Sequence, residues 1–580
     1  MRLIYISRAL QYIIYIVKIY TKTGDSGSTS LFAGKRVDKN LLKRGVHISF
    51  AYNNVQQLRF MFKSLIRNHW ILLAILTISL FFRFYNFQEL QFWNADDEVI
   101  TAVIRHIIWD KSPTLLVPNS FLGFGLGPFF HFILTPLYFI TNFNLVLIQA
   151  FASLLGVLTT YIVYKGGQLL GGKKTGLIAA FLYASSFLIS FFDRRIWPLT
   201  PDAFLATITF WLLVQVVRGK NKYLPLLAIP IGFSFHSDPS LITLDIAIFF
   251  TWIIYRLPIK NKFFLAAIMI LTLFASPILG AEIKYKGAVT KPVIQALTKP
   301  ISGGQIAPNF ERSSPVEYIN VFSRYLATAP SKKIDQNYCH GCPQGYADPL
   351  LTPIIQVIIL VIIFGSFIIL LTKKNKFARE TQILWLMIFS FILGLTIYNE
   401  VFKGNISQNY FSVIAPIFIL MVAQVLSFIH KYFKAIFFLI LSIYLLINLN
   451  TLVRSTVDYP LYRKIDLVQK SINSIEGKTY SIQASTGDLI TGGWTELFIT
   501  KRSIPINSYW YDYLDWIYQA YSLYPGPVKT ESPERIVWFT KTNFQPKLEL
   551  PIISTFVYKD MQVYIFDNST QIKKENIFVK

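Results

Sequence analysis

Three carboxylates in a row, Asp96, Asp97 and Glu98, stand in the stretch FQELQFWNADDEVITAVIRHIIWD. They head a segment whose apolar residues Val99, Val103, Ile104, Ile107 and Ile108 recur at helical spacing. A carboxylate kept beside low-dielectric surroundings and close to a hydroxyl can act as a general base while ionised. The same residue types favour the first turn of a helix, so capping is the competing reading. A second group is Arg194 and Arg195 in SFLISFFDRRIWPLTPDAF. Guanidinium groups at the end of an apolar run can hold a phosphate by charge-assisted bonds and stabilise it as a leaving group. They can equally snorkel to an interface or pair with Asp193. His236 and Asp238 in FHSDPSL, with Asp202, complete the candidate substrate contacts. For His236 a hydrogen-bonded helix end is the alternative, and His106 falls on the polar face of its helix.

The elements that must position these residues are written in the composition. Of the 580 residues 53% are apolar and only 15% charged, whereas a soluble protein carries roughly 25% charged residues. Apolar runs near the length needed to cross a bilayer occur at about 69–87, 144–164, 174–192, 199–217, 222–236, 239–256, 261–280, 351–371, 381–398, 409–429 and 434–450. The fourteen-residue stretch GPFFHFILTPLYFI (127–140), with its internal proline, is short for a crossing and reads as a re-entrant or interfacial helix. With 127–140 uncrossed and the N-terminus inside, the short loops YKGGQLLGGKKTG, RGKNKY, YRLPIKNK, TKKNKFARE and HKYFK are all cytoplasmic and all basic. The opposite loops are mixed or acidic. The net charge of +25 is thereby explained by topology, and a nucleic-acid partner is not needed. The expectation is an α-helical polytopic protein of about eleven spans in the plasma (inner) membrane, with Asp96–Glu98 on the extracytoplasmic side.

Residues 451–580 read as a separate small α/β domain on that same side. Short β-like runs (TYSIQAS, RIVWFT, QVYIF) flank the aromatic-rich NSYWYDYLDWIYQAYSLYP. No catalytic motif is present in it, so acceptor binding, capping of the membrane domain and a structural accessory all stay open. The only cysteines, Cys339 and Cys342 in NYCHGCPQGY, form half of a zinc pattern, and an extracytoplasmic short-loop disulfide is the simpler reading. The sequons at Asn405 and Asn568 carry little weight.

The order of these features over residues 65–450 resembles the GT-C membrane glycosyltransferases, of the protein O-mannosyltransferase and aminoarabinose transferase kind. Their first outer loop has an Asp-Glu pair, matched by Asp97–Glu98. Their proline-containing apolar helix resembles GPFFHFILTPLYF, their outer-loop arginine the Arg194–Arg195 pair, and their late Tyr-Phe…Pro span SQNYFSVIAPIFILMVA. Asp202 stands further from the arginines than in many relatives, and no lysine accompanies Asp238. The resemblance implies a sugar on a polyprenyl phosphate as donor, Asp97 as base, and inversion at the anomeric carbon by single displacement. It names no cofactor and leaves a divalent metal open; the acceptor is a lipid, a protein or a polysaccharide. A transporter or flippase for lipid-linked sugars, or a non-catalytic envelope-assembly subunit, is the alternative. A flippase would place ionisable groups deep inside spans, where Asp245 is the clear acidic case.

A different resemblance sits upstream. TKTGDSGSTSLFAGKRV (21–37) resembles the N-terminal phosphate loop of the cobalamin adenosyltransferases, and AYNNVQQL (51–58) a decayed form of their next element. The helical bundle that completes their site is replaced by apolar sequence, and MFKSLIRNHW from Met61 looks like a natural membrane-protein start. Residues 1–60 are therefore expected to be a remnant or a misassigned start, followed by a transmembrane domain at 61–450.

Overall fold

A computed structural model of the chain describes residues 28–30, 36–38, 69–111, 114–117, 125–258, 261–292, 294, 315–328, 351–371, 377–402, 406–457, 459–484, 492–509, 532–542, 546, 548–559 and 561–569. Cys339, Cys342, Asn405 and most of the adenosyltransferase-like segment lie outside these residues. The chain divides into two compact units, Met1–Leu73 and Ala74–Lys580. In the first, strands β1 (Ser28–Ser30) and β2 (Arg36–Asp38) pair antiparallel.

Every apolar run contains a helix in its described part. Among the described residues six helices are long and apolar enough to cross a membrane: Leu145–Ser185, Lys262–Lys284, Pro353–Leu371, Ala378–Val401, Ala415–Tyr432 and Lys434–Arg454. His69–Phe84, Asp202–Val217 and Pro239–Tyr255 are apolar but shorter. Their outward faces are greasy: Val361, Phe364 and Ile368 are each more than 60% exposed, an arrangement that water would penalise and lipid does not. The 12-residue helix Phe129–Ile140 contains Pro136 and leaves Phe139 and Ile140 exposed at its end. At about 1.5 Å per residue it is too short to cross.

The loop expected between the second and third runs is instead almost all helix. Leu145–Ser185 is interrupted only at Gly171 and Gly172. A Cβ on Gly167 would lie 2.8 Å from the Gly176 Cα, and one on Gly176 would lie 2.6 Å from the Tyr164 carbonyl oxygen. Residues so far apart along a straight helix cannot touch, so the chain reverses at the glycine pair, where Gly172 has φ +80°. The basic residues had suggested an open loop, but burial of Leu170 and Thr175 and a Thr175 hydroxyl bond to Ser427 (2.9 Å) keep the turn packed.

The described part of the tail contains helices and a sheet. The helix Leu461–Ile475 precedes a five-stranded sheet in the order β4-β3-β5-β7-β6. Its strands are β3 (Tyr480–Ala484), β4 (Asn507–Ser508), β5 (Arg535–Lys541), β6 (Ile552–Tyr558) and β7 (Met561–Asp567). β3 runs parallel to β4 and β5, whereas β7 is antiparallel to β5 and β6.

Candidate active site

The helix Ala95–Trp109 starts where the sequence places its acids, and one oxygen of Asp97 realises the capping reading. Asn94 is the N-cap, and its side chain accepts from Asp96 N (3.0 Å). Asp97 Oδ2 closes the capping box by accepting from Asn94 N (3.0 Å). The same Oδ2 accepts from Arg195 Nη2 at 2.7 Å, and that nitrogen also donates to Asn94 Oδ1 at 2.7 Å. Asp97 Oδ1 is buried with no hydrogen-bond partner. One oxygen is structural; the other is open.

Burial is the main influence on Asp97 and raises it to about 6, against the pull of Arg195. A carboxylate at that level is ionised at neutral pH yet more basic than an ordinary aspartate. Arg195 is itself held between two rings, its Cζ lying 4.7 Å from the Phe92 centroid and 4.2 Å from that of Trp197. Thr101 donates to the Asp97 carbonyl (2.8 Å) and meets the Tyr138 hydroxyl (3.1 Å), which ties the short helix Phe129–Ile140 to the acid helix.

Of the three successive carboxylates, Asp96 and Asp97 face Arg195 and Glu98 does not. Asp96 is partly exposed and 3.6 Å from Arg195. Glu98 is fully buried and faces the tail domain, where its Oε1 accepts from Glu496 N (2.8 Å). Burial raises Glu98 to about 8. Its position serves the domain junction and turns it away from Arg195.

Arg194 and Arg195 diverge as neighbours do after a helix end. Arg194 Nη2 donates to the Phe82 carbonyl (2.6 Å), while its Nε and Nη1 are buried without hydrogen-bond partners. Burial, with the adjacent Arg83 charge, lowers it to about 9. Asp193 takes neither arginine and pairs with Arg83 at 2.6 Å. Asp202 and Asp238 are joined through Ser240, whose hydroxyl donates to Asp202 (3.0 Å) and whose amide donates to Asp238 (2.8 Å). Burial raises Asp238, and the Asp96 charge adds to the rise.

His236 is committed to the main chain on both nitrogens. Nδ1 accepts from Phe129 N (3.2 Å), so Nε2 carries the proton and donates to Phe274 O (2.7 Å). A Cβ on Gly127 would lie 1.9 Å from this ring, which explains the glycine at the start of the short helix. The candidate substrate contact at His236 is thus a pin between three segments. His106 is buried rather than on a polar face, and its Nδ1 meets Asp110 at 2.6 Å.

Sequence reasoning passed over Asn94, Arg105, Lys464 and Glu496. Arg105 and Glu496 form a buried two-bond pair (2.8 Å each) across the domain junction. The available signal was a charged residue on an apolar stripe: Lys464 lies among the buried Leu461, Leu467, Val468 and Ile475 of its helix.

Residues 126–280 match the family model of the dolichyl-phosphate-mannose-protein mannosyltransferases. No curated protein matches the chain. Among solved structures, ArnT from Cupriavidus metallidurans bound to undecaprenyl phosphate is similar with a TM-score of 0.51 at 8% identity, over 86% of this chain and 98% of that one. Its apo form gives 0.50 over the same shares. The archaeal oligosaccharyltransferase AglB from Archaeoglobus fulgidus, in complex with an inhibitory peptide and a dolichol-phosphate, is similar at 0.43 and 13% identity, over 82% of this chain and 70% of that one. At such identity a likeness speaks for the fold. This chain shares the fold of ArnT, carries among its described residues six helices long and apolar enough to cross a membrane, and matches the mannosyltransferase family model over residues 126–280.

Proposed function

We propose that the protein transfers a sugar from a polyprenyl-phosphate donor to an acceptor hydroxyl on the extracytoplasmic face of the membrane, by inverting displacement. One observation carries the reading: Asp97 keeps an unpartnered Oδ1 on a carboxylate whose other oxygen is fixed by Asn94 and Arg195. A base held in one orientation with one oxygen free is what proton abstraction needs. The acceptor O–H proton passes to Asp97 Oδ1 as its oxygen bonds to the anomeric carbon. The carbon–oxygen bond to phosphate breaks on the opposite side, and polyprenyl phosphate leaves with the electron pair.

Arg195, bound to Asp97, orients the base. Arg194 retains two unpartnered donor nitrogens and is assigned the donor phosphate. Asp96, Asp202 and Asp238 supply acceptors for sugar hydroxyls, and Glu98 supports the domain junction. The structural relative that carries undecaprenyl phosphate supports a donor of this class. The eleven-span topology, with the plasma membrane as location and the acid helix outside, belongs to the same reading.

Mass spectrometry of envelope lipids and proteins from cells with and without the gene tests it. Loss of one hexose or pentose from one acceptor class, restored by wild type and not by Asp97→Asn, is expected. Full restoration by Asp97→Asn contradicts the assignment of the base.

A further inference from the structure

The tail domain reaches the acid helix through a dense set of bonds. Trp93 Nε1 donates to Gly493 O (2.7 Å), Leu461 N to Gln91 O (3.1 Å) and Glu496 N to Glu98 (2.8 Å). Gly493 has φ +72°, and a Cβ there would lie 2.6 Å from Trp93 Nε1 and 2.8 Å from the Asn94 carbonyl oxygen. The glycine turn is therefore fitted against the two residues that precede the acids. Into this junction comes Lys464, buried in full, whose ammonium donates to Trp93 O (2.8 Å) and to Gly492 O and lies 4.9 Å from the Trp494 centroid.

We propose that Lys464, contributed by the tail domain, is a positioning residue for Asp97: it fixes the Trp93–Asn94 turn that caps the acid helix and holds the Asp97 carboxylate in its charged form. The proposal rests on the reading of Asp97 as the base. Lys464 also faces Glu98, and Asp97 faces Arg195, Asp96 and Tyr138, so the balance of charge around the base is set from several elements. Burial pulls Lys464 down to about 7, with Glu98 and Asp97 opposing that pull. Lys464 and Asp97 attract each other, so the lysine's positive charge favours the ionised carboxylate. Removing that charge raises the pH at which Asp97 ionises.

The test uses the full chain in detergent or nanodiscs. The Asp97 carboxyl band is identified by infrared difference against Asp97→Asn and titrated in wild type, Lys464→Gln and Lys464→Met. Both Lys464 variants are expected to move the midpoint upward by about half to one pH unit, and the acid limb of the transfer rate to follow, with donor KM within ~2-fold of wild type. Should the Met variant fail to fold, the Gln variant carries the test, because its amide still donates to a carbonyl. An unchanged midpoint in folded Lys464→Gln overturns the proposal. The band is read without substrate, so this result and the transfer reading fail separately.

Discussion

Two buried arginine–carboxylate pairs lie close to each other in this protein, and they are wired in opposite ways. Arg83 spends its whole guanidinium: Nε and Nη2 go to Asp193 Oδ2 (2.9 and 2.6 Å), and Nη1 to the Ser79 hydroxyl and carbonyl and to Ala184 O. Arg195 spends one nitrogen on Asn94 and Asp97, leaving its own Nε and Asp97 Oδ1 without hydrogen-bond partners. A closed pair locks helices together. An open pair keeps a buried acceptor for something else, since native structures rarely leave one unpaired without a use.

Substitutions should separate the two pairs. The largest effect is expected at Asp97→Asn, which removes the base and lowers the transfer rate by ~10²–10⁴-fold, measured as turnover of a polyprenyl-phosphate sugar per folded molecule. Arg195→Met strands a buried carboxylate and is expected to destabilise by about 3–5 kcal/mol while also lowering turnover, read by thermal melting and rate together. Arg83→Met should cost a similar ~3–5 kcal/mol but leave turnover per folded molecule within ~2-fold of wild type. Gly156→Ala sharpens that contrast, because its Cβ would lie 2.3 Å from Asp193 Oδ2 and 2.5 Å from Arg83 Nε. It should cost about 1–3 kcal/mol without touching the open pair. The smallest effect is in pH. Asp97 accepts a proton only when ionised, and burial has raised it to about 6, so turnover should fall as the pH drops through that value.

The legible parts of the molecule were those where one local signal decides. Asp96 to Glu98 announced a helix start, and the acids and the apolar stripe behind them agree in the structure. The lengths of the apolar runs gave the helices. Less legible was the reversal at Gly171–Gly172, since its basic residues suggest solvent while its packing depends on Thr175 and Ser427 from distant segments. The wiring of the site was hidden for the same reason. That Asp193 takes Arg83 rather than its neighbour Arg194 follows from helix geometry, as does the meeting of Glu98 with Glu496 some four hundred positions later. Spacing along the chain carries no record of such encounters. A lysine on an apolar stripe does, and Lys464 was readable on that ground.

The most direct measurement compares Asp97→Asn with Asp193→Asn in purified, folded protein supplied with a labelled sugar on polyprenyl phosphate. Both changes remove one carboxylate charge from a buried arginine pair on the same side of the fold. Turnover should collapse in Asp97→Asn and persist in Asp193→Asn. Equal turnover in the two variants would contradict the assignment of Asp97 as the base.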